Sequence, residues 1–229
     1  MAQAIASQRA PLREHRGDCY DTAPVAVHAL MQAERLPYRI WEPCAGAGNI
    51  VNVLRAAGHR VIATDLNNRP CPELIAGVDF LLPMTPFECD AIVTNPPFAL
   101  AEKFVAVAME RAPVVIMLLR LAFLESVRRA HILDTGKLAR VHVFANRLPM
   151  MHRDGWTGKR ASSGMCFAWF VWDNGHDGPA IVDRIFHAGK PRQEELALTR
   201  LMGPDERARE AIKALNLPRD DGPLFERDA

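Results

Sequence analysis

The sequence lacks an excess of charge of either sign: 28 lysines and arginines stand against 27 aspartates and glutamates. Overall charge therefore argues for no nucleic-acid partner, and any such partner has to meet a local basic patch. Long apolar runs are missing as well. No segment approaches the roughly 20 apolar residues needed to span a bilayer, and the arginine- and histidine-containing start carries no apolar stretch of signal length. A cytoplasmic protein without membrane association is the expectation. The five cysteines are odd in number and show no paired spacing of the zinc type, so they read as free thiols, and no metal site is expected. Internal repeats and low-complexity tracts are absent too. A chain of 229 residues can bury one substantial core, and nothing in its composition demands a second.

What is present is alternation. Residues 1–17 are polar and without period and read as a flexible arm, residues 18–189 read as the main domain, and residues 190–229 as a helical carboxy-terminal appendage and tail. Strand-like runs occupy 39–42, 60–65, 78–82, 91–94, 114–119, 139–144 and 165–172. Helical spacing of apolar residues marks 50–57, 99–111 and 123–133, after a capped helix at 22–31. Near-continuous apolar strands separated by helices predict an α/β fold, a mostly parallel sheet covered on both faces. The last two strands are joined by a long polar loop without a clear helix, which predicts an antiparallel terminal pair.

The segment Trp41-Glu42-Pro43-Cys44-Ala45-Gly46-Ala47-Gly48-Asn49-Ile50 follows the first strand and opens a helix, where an open parallel sheet places its ligand. Val51 stands where a dinucleotide site wants a third small residue, which disfavours NAD. Asp65 ends the second strand, where a carboxylate can accept both hydroxyl hydrogens of a ribose; a nucleoside-type cofactor is implied. Asp79-Phe80 closes the third predicted strand with an acceptor for an exocyclic amine and a ring to lie near a purine. Each is open to a plain reading as a turn or cap residue, but they arrive in one order at successive strand ends. The fourth strand runs into Asn95-Pro96-Pro97-Phe98. Each proline removes a backbone N–H and holds its neighbour extended, so the turn presents carbonyl acceptors beside an aromatic surface, suited to a flat, amine-bearing group.

These motifs resemble those of the class I S-adenosylmethionine-dependent methyltransferases, and within them the amino-methylating DNA adenine-N6 enzymes, including short phage-type members. The similarity spans residues 18–173. It implies a Rossmann-like, seven-stranded, mostly parallel sheet with an antiparallel last strand and helices on both faces. Residues Glu42, Pro43, Cys44, Ala45, Gly46, Gly48 and Asn49 resemble the family's glycine motif. Asp65, with Leu66, resembles the ribose-binding acid, Asp79-Phe80 the adenine-binding pair, and Asn95 to Phe98 the catalytic tetrapeptide. Upstream, Tyr20 and Thr22 fall in a stretch resembling the motif that packs on the methionine part of the cofactor, with Ala23 where relatives often have proline.

The resemblance implies methyl transfer from S-adenosylmethionine to the N6 amine of adenine in DNA, duplex by expectation, with the base flipped out and a short or loose target. Asn95 and the Pro96 carbonyl would accept the amine hydrogens and Phe98 would stack on the base. Arg147, His152, Arg153, Lys159 and Arg160, with Trp156 among them, offer the best local patch for phosphates, and Arg120 can add to it. The tetrapeptide equally suits an RNA base or a protein glutamine amide, and a catalytically silent binding module is the alternative of another class.

Overall fold

A computed structural model describes residues 21–149 and 164–187; the arm at 1–17 and the appendage at 190–229 lie outside them. The described chain forms an eight-stranded sheet of order β3-β2-β1-β4-β5-β7-β6-β8. Its strands are β1 (Arg39–Glu42), β2 (Arg60–Asp65), β3 (Ile75–Ala76), β4 (Ala91–Thr94), β5 (Val114–Arg120), β6 (Leu138–Phe144), β7 (Phe167–Asp173) and β8 (Ile181–Ile185). Neighbours pair in parallel except β7, which runs antiparallel to both β5 and β6. The chain builds outward from β1 through β2 to β3, then returns to lay β4 on the other side of β1. That reversal makes the ends of β1 and β4 the switch point where open α/β sheets take their ligands.

The apolar runs divide cleanly between the two faces, because successive strand side chains point opposite ways. Ile40, Val93, Ile116, Leu118, Trp169 and Val171 pack into one core with α1 (Pro24–Ala33) and α2 (Asn49–Ala56). Their strand neighbours Trp41, Ile92, Val115, Met117, Phe170 and Trp172 build the other with α3 (Ala101–Arg111). Helix α1 opens on a proline in its first turn, where the missing N–H costs nothing, and buries Ala26, Val27, Ala29 and Leu30. It is fixed at both levels: the Trp169 indole donates to the Ala26 carbonyl at 2.9 Å, and Glu34, just past the helix, pairs with Arg140 and His142 of β6.

Three expectations are corrected. Residues 78–82 are not a strand. The third strand is the two-residue β3, after which Gly77 turns at φ 79° and the Asp79 carboxylate takes the Leu81 N–H at 3.0 Å, a local bond that replaces a ladder partner. The helix expected at 123–133 is broken into 3-10 segments at Leu121–Leu124 and Val127–Arg129 and a single turn, α4 (Ala130–Leu133), because Ser126 is extended. The sheet also has an eighth strand. β8 was not legible because four of its five residues are exposed and two are charged, so it carries no apolar run. No described helix is long and apolar enough to cross a membrane.

Candidate active site

The turn after β1 is held from below by β2. Ala45 donates to the Thr64 carbonyl at 3.0 Å, and Gly46 donates to the Asp65 carboxylate at 3.1 Å. Gly48 caps α2 in the left-handed region at φ 83°, and a Cβ there would stand 3.0 Å from the Cys71 sulfur. Two separate constraints thus demand glycine at 48: backbone sign and the approach of Cys71.

A cavity of about 210 Å³ opens on this turn. Of the residues singled out in the sequence, Thr22, Pro43, Cys44, Ala45, Gly46, Asn49, Asp65, Leu66, Asp79, Phe80, Asn95 and Pro97 line it. Asp21, from the same upstream stretch as Thr22, also lines it, and Asn67, Arg69 and Phe104 join them without having been anticipated; the Arg69 Nε lies 4.0 Å from the Asp65 carboxylate. Glu42, Gly48, Pro96 and Phe98 are not among the lining residues, and Tyr20 lies outside the described residues. Asp65 accepts from Gly46 and, at 2.8 Å, from Asn67, both through backbone N–H groups, and a carboxylate has further lone pairs for hydroxyl donors. Phe80 is 2% exposed, stacked on Phe104 at 5.0 Å with Arg111 over its ring. It builds the cavity wall and is not an open stacking platform. An apolar wall with the carboxylates of Asp65 and Asp79 in the lining suits a nucleoside with a hydroxylated sugar and an amine-bearing ring.

Beneath the cavity Glu42 is fully buried. One carboxyl oxygen accepts from the Cys44 N–H at 3.0 Å and from the Thr94 hydroxyl at 2.6 Å, while the other is buried with no partner. Burial pushes its pKa up to about 8, and the nearby Asp65 charge adds to the shift, against the pull of the Thr94 and Cys44 bonds. Glu42 therefore joins the glycine turn to the residue preceding Asn95.

At the end of β4 the Asn95 amide nitrogen donates to the Thr22 hydroxyl at 3.0 Å, which turns the acceptor oxygen the other way. Pro97 is extended (φ −54°, ψ 121°) and its carbonyl receives the Leu100 N–H at 2.9 Å, starting the 3-10 turn Phe98–Leu100 that leads into α3. Phe98 faces a separate cavity of about 180 Å³, shared with Arg120. The tetrapeptide thus divides its residues between two adjacent spaces. Arg147 follows the end of β6, which runs in the same direction as β5 by way of antiparallel β7, so it stands at the same carboxyl end of the strands as Arg120. His152, Arg153, Trp156, Lys159 and Arg160 lie outside the described residues. Among the described residues, no group of three or more His, Cys, Asp or Glu side chains is placed to hold a metal ion.

No protein-family model and no curated protein matches the sequence. Solved structures do. A structure described as a modification subunit of a type I restriction enzyme from Vibrio vulnificus superposes with a TM-score of 0.56 at 12% identity, over 79% of this chain and 49% of that one. This chain therefore spans about half of that protein's length. TrmN from Thermus thermophilus superposes with a TM-score of 0.46 at 21% identity, over 70% of this chain and 50% of that one. A structure described as an RNA methyltransferase from Pyrococcus horikoshii gives 0.47 at 12%, over 66% and 80%. The first of these likenesses shows the fold, a Rossmann-like α/β sheet.

Proposed function

We propose that this chain is an S-adenosylmethionine-dependent methyltransferase acting on the N6 amine of adenine in DNA, with the target base flipped from the duplex. The observation that carries the reading is Asn95. Its amide stands on the wall of the cavity built by the Gly46 turn and Asp65, oriented by Thr22 and followed by two prolines. The amide oxygen of Asn95, buried in the free chain, is the kind of acceptor an aromatic amine needs to be aimed at a donor.

Bound S-adenosylmethionine would supply an electrophilic methyl group on a sulfonium. The chain's own part is to bind and to aim. Asp65 would take the ribose hydroxyls, Asp79 the adenine amine of the cofactor, and the backbone around Gly46 would approach the methionine part. The lone pair of an aromatic amine is delocalised into the ring, which makes it a weak nucleophile. Accepting its two hydrogens at the Asn95 oxygen and the Pro96 carbonyl favours a pyramidal nitrogen and stabilises the positive charge that develops there. The bound donor would supply the methyl group to that nitrogen and keep the electron pair of its carbon–sulfur bond as the thioether, and the extra proton on the amine would leave to water. Holding the reactants in line supplies the rest of the catalysis. Flipping costs a few kcal/mol, least for an unpaired base. The likeness to a restriction-system modification subunit supports DNA as the substrate class.

The test is incubation of the chain with labelled S-adenosylmethionine and duplex DNA, RNA or a glutamine-bearing peptide, followed by product analysis. N6-methyladenine in DNA is expected. Label confined to RNA or peptide, or donor binding with no transfer to any of the three, would overturn the reading.

A further inference from the structure

The three closest cation–ring pairs among the described residues are Arg111 over Phe80 at 4.8 Å, Arg120 over Phe98 at 4.7 Å and Arg129 over Phe123 at 4.5 Å. Two of these guanidinium groups are clamped. Arg111 donates to the carbonyls of Phe80 at 2.5 Å and Leu82 at 2.8 Å, and Arg129 donates to the Phe123 carbonyl at 2.9 Å with the Glu102 carboxylate 3.8 Å away. Arg120 differs. Its guanidinium makes no hydrogen bond or ion pair among the described residues, and its Nε, like that of Arg129, is buried with no hydrogen-bond partner. That Nε has given up water and gained no acceptor in return, and the rest of the guanidinium is held by one ring face.

Its position says which anion. Arg120 ends β5 and is the cross-strand partner of Phe167, whose ring lies 5.7 Å from that of Phe98. The cavity of about 180 Å³ here is walled by Phe98, Leu119, Phe123 and the two cations Arg120 and Arg129, and no acidic side chain lines it among the described residues. An aromatic face next to a spare planar fork of N–H donors suits a ligand with a flat ring and a tetrahedral anion, which a nucleotide combines.

We propose that Arg120 is a stand-in for the target nucleotide: in the free protein its guanidinium covers the Phe98 face that the flipped base takes, and when the base enters it leaves the ring and binds the phosphate of that same nucleotide. This rests on the reading of Phe98 as the target-base subsite. Exchanging a ring face for a phosphate is downhill for a guanidinium, because a bidentate, charge-assisted pair is stronger than a single cation–ring contact. The same movement leaves the aromatic face covered until a base arrives.

The experiment compares the full chain with R120M and R120K on a duplex carrying one target adenine, with and without a neutral methylphosphonate replacing the phosphate 5′ of that adenine. Binding is followed by fluorescence anisotropy across a salt series, and transfer by label. Donor affinity serves as the check that each variant is folded. R120M is expected to weaken DNA binding about tenfold, the worth of one charge-assisted contact, and to flatten the salt slope by about 0.9. R120K should fall between. The methylphosphonate should weaken the unaltered chain as much as R120M does and leave R120M indifferent. Equal methylphosphonate losses in both proteins, or an unchanged salt slope in R120M, overturn the proposal. The methylphosphonate arm on the unaltered chain decides the matter even if R120M does not fold. If these effects on binding are seen but DNA is never methylated, the functional reading fails and the Arg120 assignment stands; if DNA is neither bound nor methylated, both fall.

Discussion

The Asn95 amide donates to the Thr22 hydroxyl at 3.0 Å across 73 positions of sequence, so the acceptor loop is oriented by the residue that leads into α1. That bond engages one amide N–H and leaves the buried oxygen as the acceptor that the proposed chemistry would use.

Removing that oxygen should abolish the chemistry and spare the donor. Asn95→Ala is expected to lower kcat on the order of 10²–10³-fold, the range found when one preorganised polar group is deleted. Donor affinity by calorimetry should stay within a few-fold. Asp65→Ala should do the reverse, weakening donor binding by about 10–150-fold for one lost charge-assisted bond, since each is worth about 1.5–3 kcal/mol. Part of that loss will come from the Gly46 N–H that Asp65 also accepts. A collapse of donor binding in the Asn95 variant would show that the two roles are not separate.

Glu42 gives a pH signature. Its folded value, pushed up to about 8 by burial, lies above the ordinary 4.5. As pH rises the unfolded chain ionises first while the native chain keeps its proton, so this residue lowers stability between about pH 4.5 and pH 8, and the loss levels off above pH 8. The slope in that window approaches about 1.4 kcal/mol per pH unit. Glu42→Gln imitates the neutral acid and keeps an acceptor for Cys44 and Thr94, so urea titrations from pH 5 to 9 should show that slope vanish. An identical slope in both proteins would mean that Glu42 is ionised in the native state.

Gly48→Ala tests the two constraints at the start of α2 separately. Left-handed backbone costs a non-glycine residue about 1–2 kcal/mol, and the new methyl also presses on the Cys71 sulfur. Adding Cys71→Ala should recover the steric share alone. Denaturation of the two single variants and the double variant measures the coupling, and strict additivity would show that Cys71 gives way freely.

Much of this could be read from residues alone where burial is two-sided. Strands β1, β2 and β4 coincide with their predicted spans because each is a short apolar run bounded by turn residues, and the turn motifs fall at their carboxyl ends. The reading failed where local polar chemistry competes with regular structure, as at Asp79, or where an edge strand carries its stability in backbone pairing, as in β8. The bond from Asn95 to Thr22 and the freedom of Arg120 had no sequence signal, since both depend on side chains meeting between elements far apart in the chain.

Three of the tryptophans, Trp41, Trp169 and Trp172, are 1% exposed or less, and each indole N–H is matched to an oxygen: the Thr64 hydroxyl, the Ala26 carbonyl and the Ile132 carbonyl. Trp169 lies in one core layer, and Trp41 and Trp172 lie in the other, so the protein carries its own optical gauge. Opening either layer wets at least one chromophore, and red-shifted emission will report loss of tertiary order without any attached dye.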